Sequence, residues 1–243
     1  MSLSEAANKS RTLVVIPARD EETTVGQVVQ EVRAVSGYDV VVVDDRSADA
    51  TAAKAEAAGG IVLPLVVSLG AWGAMQTGMR YAISHGYEVV VTMDADGQHT
   101  VAAIDDLVRP LREKNADVAI GSCVARGSRQ RKIAWRFFKA LTGLAIEDLT
   151  SGFRAYNLAA LRLLASPVAT LLDYQDLGVL LLLQKHGLKV QEVETIMSLR
   201  VAGKSRIFSS WWVVLLYLLE SGLLSISRRN SIQGYPSIKS IKD

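Results

Sequence analysis

Five short runs dominated by β-branched residues, at positions 13–16, 40–43, 61–67, 89–92 and 118–120, leave this chain few ways to fold. Each is apolar throughout instead of alternating, the pattern of a strand covered on both faces. Between them lie stretches with helical spacing. Val25, Val28, Val29, Val32 and Val35 share one helix face, and Ile104, Leu107, Val108 and Leu111 repeat that spacing after the fourth run. The Ala-rich stretch 48–58 and the segment 74–84 supply two further helices. The resulting β-α-β-α-β-α-β-α-β succession predicts an α/β, doubly wound nucleotide-binding domain with a mostly parallel central sheet. Between 121 and 150 the periodicity is lost and positive charge accumulates. A helix over 178–186, stopped by Gly187, and a strand over 190–193 then resume the order. A length of 243 residues suits one large domain, assigned to 1–206, with a segment of different character over 207–243.

Composition narrows the function classes. With 49% hydrophobic and 21% charged residues the chain is neither disordered nor collagen-like. A lone Cys123 excludes an internal disulfide and any CxxC site, and the net charge of +2 gives no reason to expect nucleic acid. The polar start, 1–11, lacks the apolar core of a signal peptide. Near the other end, 207–226 is an apolar run interrupted by Ser209, Ser210, Glu220, Ser221, Gly222 and Ser225. At ~1.5 Å per residue it would span roughly 30 Å as a helix, but Glu220 argues against a stable crossing. Trp211 and Trp212, flanked by Lys204, Arg206, Arg228 and Arg229, favour an apolar helix lying on anionic lipid. Packing on the chain's own sheet or in a dimer is the competing expectation, and oligomeric state stays open. Peripheral membrane contact would place the protein in the cytoplasm, at the inner face of the membrane.

The chemistry concentrates where the strands end. Ligands of doubly wound sheets bind outside the carboxyl ends of the strands. The first strand runs into Pro17-Ala18-Arg19-Asp20-Glu21-Glu22 without the glycines of a GxGxxG turn, which disfavours NAD. The second ends in Asp44-Asp45, followed by Ser47 and Asp49; Asp45 is read as a base or ribose acceptor, with helix capping as the other role for such residues. The fourth ends in Asp94-Ala95-Asp96-Gly97-Gln98-His99. Period-2 geometry points Asp94 and Asp96 the same way, with Gln98 a third oxygen donor, a hard set suited to Mg²⁺ or Mn²⁺ holding a diphosphate. An EF-hand is excluded, because the glycine comes fourth and no glutamate closes the loop. His99 is read as structural. Gly70, Gly73 and Gly78 open a helix where backbone must approach something closely, a phosphate or sugar being the natural neighbour. The stretch is not a P-loop.

In sequence order, Ile16-Pro17-Ala18 with Glu21-Glu22, Val43-Asp44-Asp45 with Ser47, Gly70 to Gly78, and Asp94-Ala95-Asp96-Gly97-Gln98-His99 are joined by Ile120-Gly121-Ser122, Ser151-Gly152-Phe153-Arg154 and Arg200 with Gly203-Lys204-Ser205. That order resembles the family 2 glycosyltransferases of GT-A fold, particularly the dolichol-phosphate mannosyltransferase-like branch, over roughly 12–206. The resemblance implies an inverting enzyme that takes a sugar from a UDP- or GDP-sugar with Mg²⁺ or Mn²⁺. It implies that Pro17, Ala18, Glu21 and Asp45 hold the nucleotide, with Gly73 beside them. Asp94, Asp96 and Gln98 would hold the metal, and Arg200 and Lys204 would approach the diphosphate or an acceptor phosphate. Two departures stand out. Ser122 is followed by Cys123 where the family often has arginine, and Arg19-Asp20 replaces the usual Tyr-Asn.

The acceptor divides the reading. A sugar hydroxyl needs a general base, for which Asp148 and Asp176 are the candidates. A polyprenyl phosphate is already ionised and needs only cations to place it, as Arg126, Arg129, Arg131, Lys132, Arg136 and Lys139 would supply. The leading expectation is transfer to a polyprenyl-phosphate or other lipid-linked acceptor; the alternatives are transfer to a glycan hydroxyl in polysaccharide assembly and a non-catalytic nucleotide-sugar binding protein.

Overall fold

The computed structural model describes residues 11–122, 146, 148, 151–170 and 177–195. Among the described residues seven strands form one sheet: β1 (Thr12–Ala18), β2 (Asp39–Asp44), β3 (Ile61–Pro64), β4 (Val89–Thr92), β5 (Val118–Ser122), β6 (Arg154–Asn157) and β7 (Val190–Glu194). Their order across it is β3-β2-β1-β4-β6-β5-β7. The helices are α1 (Val25–Val35), α2 (Thr51–Ala57), α3 (Gly70–Ser84), α4 (Ile104–Arg112), α5 (Leu158–Leu164), α6 (Pro167–Thr170) and α7 (Leu177–Lys185). The expected α/β, mostly parallel architecture is present.

β1 lies inside the sheet, between β2 and β4. It pairs in parallel with β2 through Val14 and Val40, and with β4 through Val14 and Val91. Leu13, Val14, Val15 and Ile16 are wholly buried, which is why this run is apolar at every position. On one face of the sheet, Val14, Ile16, Val42 and Val91 pack with Val25, Val28, Val29 and Val32 of α1 and with Ile104, Leu107 and Val108 of α4. Each such side chain contributes about 1.5–3 kcal/mol by leaving water. On the other face α3 lies so close to β1 that a Cβ added at Gly78 would come within 2.3 Å of Val15. Buried hydrogen bonds fasten α3 to the helices beside it: Gln76 donates to the Leu164 carbonyl at 2.7 Å and the Trp72 indole to that of Ala169 at 2.9 Å.

Four features depart from the sequence reading. β6 is antiparallel to both neighbours, pairing Thr92 with Arg154 and Ile120 with Arg154. Its sequence, Arg-Ala-Tyr-Asn, has no β-branched residue, and it becomes a strand because two open edges flank it. The third strand ends at Pro64 instead of running to 67, since the chain turns there and the Leu65 N–H donates to the Asp44 carbonyl. Gly78, read as a point of approach to a ligand, is a point of helix-on-strand packing. The helices α5 and α6 had no counterpart in the sequence reading. The basic stretch 126–139, the apolar run 207–226, Cys123, Asp176, Arg200 and Lys204 lie outside the described residues. Among the described residues no helix is long and apolar enough to cross a membrane.

Candidate functional site

The chain leaves β1 for β2 on one side, while β4 lies on the other, so a crevice opens at the carboxyl ends of β1 and β4. The segments after β1, β2 and β4 lead away from this end of the sheet. The first two are laced together. Asp20, at a positive φ of 56, accepts from the Ala48 N–H at 2.8 Å, and its own N–H donates to the Ser47 hydroxyl. Glu22 accepts from Ala50, and the Glu22 N–H donates to Asp49. The Glu21 N–H donates to Thr51 at 2.8 Å, while its carboxylate takes the Thr24 hydroxyl at 3.3 Å. Pro17 and Ala18 form the last rungs of β1, opposite Val43 and Asp44.

Asp45 follows β2, and its side chain reaches the start of α3. Its two carboxylate oxygens accept from the Ser68 hydroxyl at 2.8 Å and from the N–H groups of Leu69 at 2.6 Å and Gly70 at 3.1 Å. Asp45 therefore caps α3, and the capping moves the start of that helix from the expected 74 to Gly70, whose φ of 74 suits glycine alone. Arg19 extends the link by donating to Ser68 at 3.0 Å. Gly73 sits one turn on, where a Cβ would lie 2.5 Å from that of Leu69. Ser47, expected as a helix cap, instead donates to Asp44. Asp49 accepts from Thr51; burial works against its charge, but the Thr51 hydroxyl and the N–H groups of Thr51 and Glu22 outweigh that and hold its pKa below the usual carboxylate range.

Past β4 the alternation is as the sequence reading expects: Ala95 is buried while Asp94, Asp96 and Gln98 are partly exposed. The Gln98 N–H donates to Asp96 at 3.0 Å, closing a tight turn through Gly97 at φ 73. His99 Nε2 lies 3.2 Å from Asp94 Oδ2. Gly152 backs the same carboxylate, for a Cβ there would stand 3.2 Å from Asp94 Oδ1. Its carbonyl accepts from Thr92 at 2.9 Å. Asp148 is buried, with its N–H donating to Glu192 of β7 at 2.7 Å.

The donor set at 94–98 fits a hard divalent cation. Asp94 presents a side chain 50% exposed, and both aspartates offer oxygen alone. No group of three or more His, Cys, Asp and Glu converges among the described residues. A cation here would take one or two carboxylates and draw its remaining ligands from phosphate and water, the habit of Mg²⁺ in nucleotide sites.

Residues 13–163 match the family described as Glycosyl transferase family 2. The chain belongs to that family. It is 33% identical over 168 residues to the undecaprenyl-phosphate mannosyltransferase of Micrococcus luteus, covering 63% of this chain and 68% of that protein. It is 32% identical over 164 residues to the polyprenol monophosphomannose synthase of Mycolicibacterium smegmatis, covering 60% and 62%. Among solved structures, glucosyl-3-phosphoglycerate synthase from Mycobacterium tuberculosis, in complex with Mn²⁺, uridine diphosphate and phosphoglyceric acid, superposes with a TM-score of 0.66. That match has 19% sequence identity and covers 97% of this chain and 82% of that one. It supports the GT-A fold.

In this glycosyltransferase the structure laces the segments that follow β1 and β2 together, carries Asp45 to the start of α3 and sets Asp94, Asp96 and Gln98 in the turn after β4. Sequence reasoning missed Thr51, which is buried and joins Glu21 to Asp49, and Ser68, which joins Arg19 to Asp45. Neither has a local signal, since a hydroxyl bridging two loops is recognisable only when both loops are in place.

Proposed function

We propose that this family 2 glycosyltransferase moves a sugar from a UDP- or GDP-sugar to the phosphate of a polyprenyl or other lipid-linked acceptor, with inversion. The observation that carries the reading is the Asp94/Asp96 turn at the carboxyl end of β4, beside the β1 crevice, in a family whose members with related sequence include polyprenol and undecaprenyl-phosphate mannosyltransferases. Pro17, Ala18 and Glu21 hold the nucleoside. Asp45 keeps the 68–70 turn in place beside them. Asp94, Asp96 and Gln98 hold Mg²⁺ or Mn²⁺, which when bound neutralises charge on the departing diphosphate. An acceptor phosphate oxygen attacks the anomeric carbon as the bond from that carbon to the diphosphate breaks, and the nucleoside diphosphate leaves. A phosphate acceptor is ionised near neutral pH, so this transfer requires no general base. The family resemblance assigns Arg200 and Lys204 to the diphosphate or an acceptor phosphate, and both lie outside the described residues. The catalytic domain takes in 1–206, and the apolar, Trp-bearing run within 207–243 rests on the membrane that holds the acceptor, at its cytoplasmic face.

The test uses the full chain with Mn²⁺ and a panel of UDP- and GDP-sugars. One donor class should raise the melting temperature by mass action, and the same donor should yield a sugar-phosphate lipid when undecaprenyl phosphate in detergent is supplied. Transfer that continues undiminished after chelation of the metal, or transfer to glycan hydroxyls with none to the lipid phosphate, would overturn the reading.

A further inference from the structure

We propose that His99 is a positioning residue, one that fixes the Asp94 carboxylate in the orientation from which it meets the divalent cation. The inference rests on the metal reading above and gives a task to a residue which that reading leaves unused. Asp94 is a half-exposed side chain at the mouth of the crevice, whereas the His99 side chain is 2% exposed. The ring nitrogen nearest the site, Nε2, lies 3.2 Å from Asp94 Oδ2. The ring is itself immobilised, stacked on Phe153 with centroids 5.0 Å apart and planes inclined by 22°. Phe153 is wedged in turn, because a Cβ at Gly121 would stand 2.6 Å from its Cδ1. The bare backbone of Gly152 also lies close to the carboxylate, where an added Cβ would stand 3.2 Å from Oδ1. Asp94 thus has a rigid donor at one oxygen and a backbone surface close by.

The second ring nitrogen shows that packing alone does not explain the histidine. His99 Nδ1 is buried and has no hydrogen-bond partner among the described residues. An apolar side chain would fill the same space without leaving a polar atom unmatched, a defect that ordinarily weakens a fold. What an apolar residue lacks is the bond to Asp94. With Nε2–H as the donor, Nδ1 keeps only a buried lone pair and the carboxylate gains a fixed partner. Hydrogen-bonded partners of this kind orient ligating carboxylates, and their loss typically weakens metal affinity by about 10- to 100-fold.

The experiment is a Mn²⁺ titration of the full chain, with and without UDP, followed by the electron paramagnetic resonance signal of free Mn²⁺. His99→Gln and His99→Met are nearly equal in length, but only the glutamine carries a donor. The methionine variant should bind Mn²⁺ about 10- to 100-fold more weakly than the parent, and the glutamine variant should recover most of that loss. In turnover assays the methionine variant should need correspondingly more metal yet approach the parent kcat at saturation. A purely structural histidine would not separate the two variants in this way. Should His99→Met fail to fold, His99→Asn, an amide too short to reach Asp94, replaces it against His99→Gln with the same expectation. Mn²⁺ binding that Asp96→Ala abolishes but His99→Met or His99→Asn leaves at parental strength would overturn the inference alone. A parent chain whose Mn²⁺ binding ignores Asp96→Ala would overturn the metal reading and the inference with it.

Discussion

At the end of the sheet where β2 and β4 begin, polar side chains meet one another and close. The Tyr38 hydroxyl donates to Asp105 and accepts from Arg112 at 2.7 Å, and Tyr87 donates to Asp39 at 2.9 Å. Burial, and then the carboxylate acceptor, push both phenols up to about 12. At the opposite end, carboxylates accept chiefly from backbone N–H groups and hydroxyls of neighbouring loops, as Asp20, Glu22, Asp45 and Asp49 do. Side chains that satisfy each other brace a scaffold. Carboxylates satisfied by backbone shape loops, as Asp45 does at the start of α3. The same residue types serve both ends, and what faces them decides the role.

The comparison breaks most sharply at Asp96. Asp96→Ala should lower kcat by about 10²- to 10³-fold, the scale set by removing one group that stabilises developing charge. The melting temperature of the metal-free chain should hardly move, because this side chain is partly exposed and accepts from the Gln98 N–H within a surface turn. Steady-state transfer beside a thermal melt checks both halves, and an equal loss at a Tyr38 variant would erase the distinction between the two ends. Asp45→Ala should cost about 0.5–2 kcal/mol in denaturant unfolding, since it removes the side chain that caps the start of α3. It should also raise the KM for the donor sugar more than it lowers kcat.

The two ends should separate in pH as well. A phenol with a folded pKa near 12 against an ordinary 10.0 contributes stability that is complete below pH 10 and lost as pH rises toward 12. Tyr38→Phe with Tyr87→Phe should cost about 1 kcal/mol per site at neutral pH and flatten the alkaline decline of the melting temperature, with kcat unchanged. Asp49 works in the opposite sense. Its folded pKa lies below the ordinary 3.8, so its contribution is present above that value and fades as pH falls through the lowered one. Asp49→Asn should cost only a few tenths of a kcal/mol at pH 7, in keeping with a partly exposed, solvent-screened site, and the difference from the parent should vanish in acid melts.

Much of the scaffold was legible because burial on both faces writes itself into a strand. Val14, Val41 and Val91 needed no partner to be recognised as sheet, and Val25, Val28, Val29 and Val32 displayed their helix face. The Asp94-Ala95-Asp96 alternation was legible for the same reason, as it continues the period of β4. β6 was not, for its residues have little strand preference of their own. Nor was Asp45's hold on α3, which spans 24 residues of sequence to Leu69. Gly78 looked like a ligand contact until Val15 was seen against it.

By itself the sequence determined where strands and helices form and which end of the sheet carries the acids, because periodicity and local chain order are one-dimensional properties. Which of those acids cap, which latch loops and which face the crevice was settled only by tertiary structure. A carboxylate's role depends on the donors within about 3 Å of it, and those donors come from distant segments, Ser68 for Asp45 and Ala48 for Asp20; even the nearby His99 of Asp94 is held by a distant residue, Phe153.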